Sequence, residues 1–109
     1  MEEWKFADPP NVAVLSDKSI FKRGDWIAYV SHMEDDGGWL FYNCDNRDWE
    51  EREKMLVGLQ EVVRIDESIM ELADLPEGWH AWRSSKSSPW QRAKSRPVGF
   101  NDNDNPAKS

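Results

Sequence analysis

The chain has 109 residues, the usual size of one domain around one hydrophobic core, so a second domain is not expected. With 14 Lys and Arg against 21 Asp and Glu, its formal net charge is −7. That sign works against nucleic acid or anionic membrane as a partner. No apolar run is long enough to cross a bilayer, the N-terminus has no secretory pattern, and the lone Cys44 cannot form an internal disulfide, so a cytoplasmic protein is expected.

Residues 1–10 carry Trp4 and Phe6 among charges and end in Pro9-Pro10, which reads as a flexible arm able to dock through its aromatics. The expected domain spans 11–84. Val12-Ala13-Val14-Leu15 is a short predicted strand. Ser16 follows as a candidate helix N-cap, with Asp17 near the positive helix end and Lys22-Arg23-Gly24 closing the turn.

Trp26 to Cys44 forms the centre of the chain. Two runs of β-branched and aromatic residues flank a turn, and Asp36-Gly37-Gly38 supplies residues able to take positive φ; the pattern is that of a β-hairpin. Trp39 and Phe41 fall on one face and Leu40, Tyr42 and Cys44 on the other. Apolar residues on both faces predict interior strands covered on both sides, with Cys44 as a small buried side chain.

The run 45–54 is polar and holds a single large aromatic, Trp49, so a loop or one exposed helical turn is expected there. Met55 to Leu59 reads as another strand. Val62, Ile65, Ile69 and Leu72 then fall on one helical stripe, joined by Met70 and Ala73. The main helix is expected over 61–75, with two short helices broken at Asp66 as the alternative, since Asp66 can act as a fresh N-cap. Pro76 and Gly78 stop it, and Trp79 to Arg83 returns to period two as the last predicted strand. The expected fold class is therefore α+β: an antiparallel sheet of four or five strands with one main helix packed on one face.

Charge divides unevenly along the chain. Residues 1–83 hold 9 cations and 19 anions, a balance of −10, whereas residues 84–109 hold 5 and 2, a balance of +3. The segment 85–109 is expected to be a basic, polar and largely mobile tail, with Trp90, Val98 and Phe100 as its possible anchors. An acidic body favours a basic partner, although acidity also serves solubility.

No catalytic constellation is legible. The histidines His32 and His80 sit on separate predicted strands, and there is no phosphate loop, paired-cysteine zinc spacing or nucleophile elbow. No catalytic residue, metal or cofactor is expected. Asp35 and Asp36, with Asp45 or Asp48, are better explained by a solvated hairpin tip than by a cation site. Trp49 inside an acidic loop has the character of an interface anchor, with a core role as its alternative. If the hairpin loop and the loop leaving its second strand converge, Asp35, Asp36, Asp45, Asp48, Glu50 and Glu51 gather around Trp49 as a partner-binding patch.

Three stretches resemble the immunity protein thirty-three family, a small bacterial domain of unknown function: Val14 to Ile20, Gly38-Trp39-Leu40-Phe41, and Leu72 to Arg83. The likeness covers Val12 to Arg83 and rests on Gly38, Trp39, Phe41, Pro76 and Gly78 as structural positions. Tyr42-Asn43-Cys44-Asp45 and Asp66-Glu67 depart from the family pattern. The resemblance implies an immunity (antitoxin-like) protein that binds and neutralises a cognate toxin with a basic surface, as a monomer or homodimer, without enzymatic activity. The alternative is a small accessory or regulatory domain that binds a house-keeping protein or a ligand.

Overall fold

The structure, a computed structural model, describes residues 4–44 and 49–94. Among the described residues six strands form one mixed sheet: β1 (Ala13–Asp17), β2 (Tyr29–His32), β3 (Trp39–Tyr42), β4 (Lys54–Gly58), β5 (His80–Trp82) and β6 (Gln91–Ala93). Their spatial order is β4-β1-β3-β2-β5-β6, and every pairing is antiparallel except β1 with β3. The α+β class stands, but an all-antiparallel sheet of four or five strands does not. The hairpin β2-β3 inserts with β3 against β1, and two strands that both leave the same end of the sheet become parallel neighbours.

The hairpin itself follows the expected chemistry. Val30 pairs with Phe41 and Ser31 with Leu40. The loop closes through Met33 N–H to the Gly38 carbonyl (2.7 Å), with Gly37 at φ 72°. Both faces are covered. Trp39 and Phe41 stack with rings 6.4 Å apart on one face and join Val14, Val30 and Ala81. Leu40, Tyr42 and Tyr29 occupy the other, against Leu15, Met33 and Trp82. Cys44 lies beyond the end of β3 and is exposed, contrary to expectation, because the strand stops at Tyr42.

One long helix is replaced by two short ones. α2 (Leu59–Ile65) ends at Asp66, whose backbone is extended and whose Oδ1 accepts from Ser68 N–H (3.0 Å), opening a 3-10 helix over Glu67–Leu72. An N-cap acid satisfies one of the orphan donors of the new helix, which is why the break falls there. The change of axis keeps Val62, Ile69 and Leu72 buried and leaves Ile65, expected on the same stripe, 44% exposed. Ser16 is also reassigned. It is buried in β1 opposite Met55, and the short helix α1 (Lys18–Lys22) is preceded by Asp17, which makes no side-chain cap.

Segments expected as loose ends are docked where they are described. Phe6 is buried edge-on to Trp39 (5.2 Å), Trp4 Nε1 donates to the Asp8 carbonyl, and Asp8 Oδ2 accepts from Trp39 Nε1 (2.8 Å). At the other end, β6 pairs with β5, and Trp90 covers the Arg83 guanidinium at 4.1 Å. β6 carries no apolar alternation; Trp90 and the ion pair of Arg92 with Asp74 hold it in place.

Candidate functional site

Where β1 and β3 end side by side, a buried polar cluster sets the path of the chain toward β4. Arg52 Nη1 donates to Asp17 Oδ2 (2.7 Å) and to Asn43 Oδ1 (2.6 Å), and the Asn43 backbone N–H donates to the same Asp17 oxygen (2.7 Å). Asn43 Nδ2 continues the chain to Ser19 Oγ (2.8 Å) and Asp25 Oδ2 (3.0 Å). The Arg52 and Asp17 side chains are only 3% and 4% exposed, and the guanidinium lies over the Tyr42 ring at 4.9 Å. Asp17 Oδ2 accepts from both Arg52 and the Asn43 amide, which offsets the cost of burying the pair although Arg52 Nε makes no hydrogen bond among the described residues, so the cluster acts as a clasp between the ends of β1 and β3. It borders an open cleft of about 250 Å³ that also takes in Lys18, Lys22, Arg23 and Glu53. A hydrogen bond from Arg23 holds the Asp25 carboxyl below its usual range, with Asn43 and Ser19 assisting against the upward pull of burial.

The opposite end of the sheet holds the hairpin tip. Glu34, Asp35 and Asp36 are all exposed there, and the turn between the 3-10 helix and β5 lies against them. Gly78 N–H donates to the His32 carbonyl (2.7 Å) with Gly78 at φ 87°, and His32 N–H donates to the Trp79 carbonyl. The Glu77 carboxylate packs so close to Gly37 that a Cβ there would meet Glu77 Oε2 at 3.0 Å. Glu34 lies beside Gly78, with Oε1 at an ordinary contact distance of 3.5 Å from where a Cβ would stand. Four exposed carboxylates, Glu34, Asp35, Asp36 and Glu77, therefore share this tip.

The expected single patch thus divides. Asp35 and Asp36 stand at one end of β3, whereas Glu50 and Glu51, exposed in a 3-10 turn (Trp49–Glu51) before β4, stand beyond the other. Four residues of strand separate the ends by roughly 13 Å. Asp45, Asp48 and the side chain of Trp49 lie outside the described residues. Sequence reasoning missed Glu34 and Glu77 at the tip and Glu53 beside Glu51. Glu34 adjoins Asp35 in the chain, but the approach of Glu77 depends on β5 pairing with β2, which no local pattern reports.

The positions carried by the resemblance are structural. Trp39 stacks on His32 at 3.8 Å, and Phe41 is wholly buried. Gly38 N–H donates to Asp36 Oδ1 (2.9 Å), pinning the turn, while Gly37 takes the positive φ. The Pro76 carbonyl accepts from Trp79 N–H (3.1 Å) as the chain reverses. Both histidines bond within the fold: His32 Nδ1 lies 2.7 Å from the Leu75 carbonyl, and His80 Nδ1 2.6 Å from the Tyr29 hydroxyl. Among the described residues, no three His, Cys, Asp or Glu side chains are grouped to hold a metal ion.

Charge is sorted across the described surface. Each of the five described arginines is ion-paired within the chain: Arg23 with Asp25, Arg52 with Asp17, Arg64 with Glu61, Arg83 with Asp66 and Arg92 with Asp74. Burial raises the Asp66 carboxyl, but hydrogen bonds from Arg83 and Ser68 outweigh it and leave the carboxyl below its ordinary value. Arg92 likewise lowers Asp74. By contrast, Glu34, Asp35, Asp36 and Glu77 at the tip, and Glu50, Glu51 and Glu53 at the far end, form no ion pair with a described residue. The four carboxylates of the tip project a negative field, whereas Lys18, Lys22 and Arg23 stand beside Glu53 at the far end and offset part of its charge.

No protein-family model, curated protein or solved structure matches the chain.

Proposed function

We propose that this chain is a non-enzymatic immunity protein that binds and neutralises a cognate toxin bearing a basic surface. One observation carries the reading: each described arginine is ion-paired with a carboxylate of its own chain, whereas the carboxylates at the two ends of the sheet are left to solvent. Rigid walls behind those carboxylates, supplied by the Asp17–Arg52–Asn43 clasp and the stacked His32–Trp39 pair, support recognition without rearrangement. The partner is cytoplasmic when bound, and the toxin is secreted or contact-delivered before it arrives.

The test is association of the purified protein with the product of the gene adjoining its own, followed at low and high salt. Charge steering predicts fast association that slows steeply as ionic strength rises. The double substitutions Asp35→Lys with Asp36→Lys, and Glu50→Lys with Glu51→Lys, identify which end makes contact. One of them should slow association about tenfold at low salt with an unchanged melting temperature. No complex with that product, or an association rate indifferent to both salt and these substitutions, rejects the reading.

A further inference from the structure

The two edges of the sheet are built differently. β6 is three residues long and polar, and Arg92 is tied to Asp74 and to the Glu71 carbonyl (2.8 Å). β4 is five residues long and reads Lys-Met-Leu-Val-Gly, with neither a proline nor a charge inside the run Met55-Leu56-Val57. Leu56 is 67% exposed, the most exposed large apolar side chain among the described residues. Natural proteins blunt their sheet edges, and a long apolar edge left open is a template for another strand.

The ladder also fixes which backbone groups β4 presents. Lys18 N–H donates to the Glu53 carbonyl (2.6 Å), and Leu59 N–H donates to the Val12 carbonyl (2.9 Å). Since antiparallel pairs alternate, Met55 and Val57 turn their amide and carbonyl toward β1, and Leu56 turns both outward. The outward groups of Leu56 have no backbone partner among the described residues. Leu56 is also in register with Leu15 and, through it, with Leu40, so a leucine row crosses three strands and runs off the edge.

We infer that the outer edge of β4 is a strand-acceptor site that takes an extended segment of a basic protein as a seventh strand. Charge selects this occupant. Glu50, Glu51 and Glu53 are exposed immediately before β4 and outnumber Lys54 at its first position, so the end of the edge favours Lys or Arg on an incoming strand. A second copy on the same edge would bring two chains of charge −7 together and set these carboxylates against its own acidic surface. The inference rests on the reading of the protein as a binder of a basic partner and names the element that receives it.

The probe is a synthetic peptide with an alternating Val–Thr run and Lys at both ends, titrated into the ¹⁵N-labelled full chain, with a Glu-ended peptide as control. Expected are amide shifts centred on Lys54, Leu56 and Gly58 and slowed hydrogen exchange at the Leu56 amide, with the Glu-ended peptide at least tenfold weaker. Leu56→Pro removes the outward donor together with the exposed leucine side chain, while the bonds that Met55 and Val57 make to β1 involve other residues, and it should weaken the peptide at least tenfold. If that variant loses its melting transition, Leu56→Lys keeps the amide, repels the peptide and should weaken it to the same extent. Shifts confined to the hairpin tip, binding indifferent to both variants, or β4 shifts that grow with protein concentration in the absence of peptide each overturn the assignment. The adjoining-gene product separates the two levels. A complex formed equally by wild type and Leu56→Pro defeats the edge alone, whereas absence of any complex defeats the immunity reading, whatever the peptide does.

Discussion

Replacing Arg83 by Met keeps the aliphatic stem and deletes the guanidinium. That group, 2% exposed, is bonded to Asp66 and donates to the Ile27 carbonyl (2.9 Å), Ser68 Oγ (3.1 Å) and the Lys86 carbonyl (3.0 Å) beneath the Trp90 ring. Its loss strands the Asp66 carboxylate, 11% exposed, and several acceptors behind it. Breaking one side of such a buried pair costs about 3–5 kcal/mol. For a domain near this size that corresponds to a fall in melting temperature of roughly 12–20 °C. Urea unfolding followed by tryptophan fluorescence and thermal unfolding by circular dichroism measure it. The Asp66 carboxyl is lowered in the folded state, so its contribution is fully present above the unfolded-state value of ~3.9 and is lost as pH falls through the folded one. Asp66→Asn should therefore be less stable at pH 7 and show a flatter decline below about pH 4. A cost for Arg83→Met below about 1 kcal/mol would refute the view that this pair clamps the 3-10 helix to the sheet.

Three further outcomes follow from the same contacts. Trp39→Ala removes the ring stacked on His32 and Phe41 and its bond to Asp8, and should cost about 3–5 kcal/mol in urea unfolding. Gly78→Ala, at φ 87° with its nearest neighbour, Glu34 Oε1, at 3.5 Å, meets backbone strain rather than a clash and should cost about 1–2 kcal/mol. Trp90→Ala removes the cover over Arg83 and the bond from Nε1 to Ser68 Oγ (3.0 Å), so it should lower stability by about 1–3 kcal/mol and speed hydrogen exchange in β6 before the rest of the sheet.

The hairpin was legible because its signals are local. Gly37 meets a positive-φ requirement, and the apolar residues on both faces of β2 and β3 announce interior strands. The helix break was legible as a possibility, since an acid able to cap marks position 66. Sheet order was not, because the parallel pairing of β1 with β3 brings together residues 25 apart in sequence with no turn chemistry to report it. Ser16 illustrates the same limit. Its type suits a cap, but pairing with Met55 draws it into β1 and leaves the position before α1 to Asp17, whose carboxylate is engaged by Arg52 and Asn43. β6 escaped notice because Gln91-Arg92-Ala93 has no strand period of its own. The acidic candidates were identifiable by type, but their division between opposite ends of β3 follows from topology, as does the open edge at Leu56.

The most direct test of the immunity reading is the association rate constant of the purified protein with its adjoining-gene product, measured by stopped flow across a salt series. Screening of exposed carboxylates predicts a rate that falls about tenfold or more between low salt and several hundred millimolar, and a complex that abolishes the partner's toxicity when the two are co-expressed. A rate independent of salt, or a partner that remains toxic in the presence of a saturating excess of this protein, would contradict it.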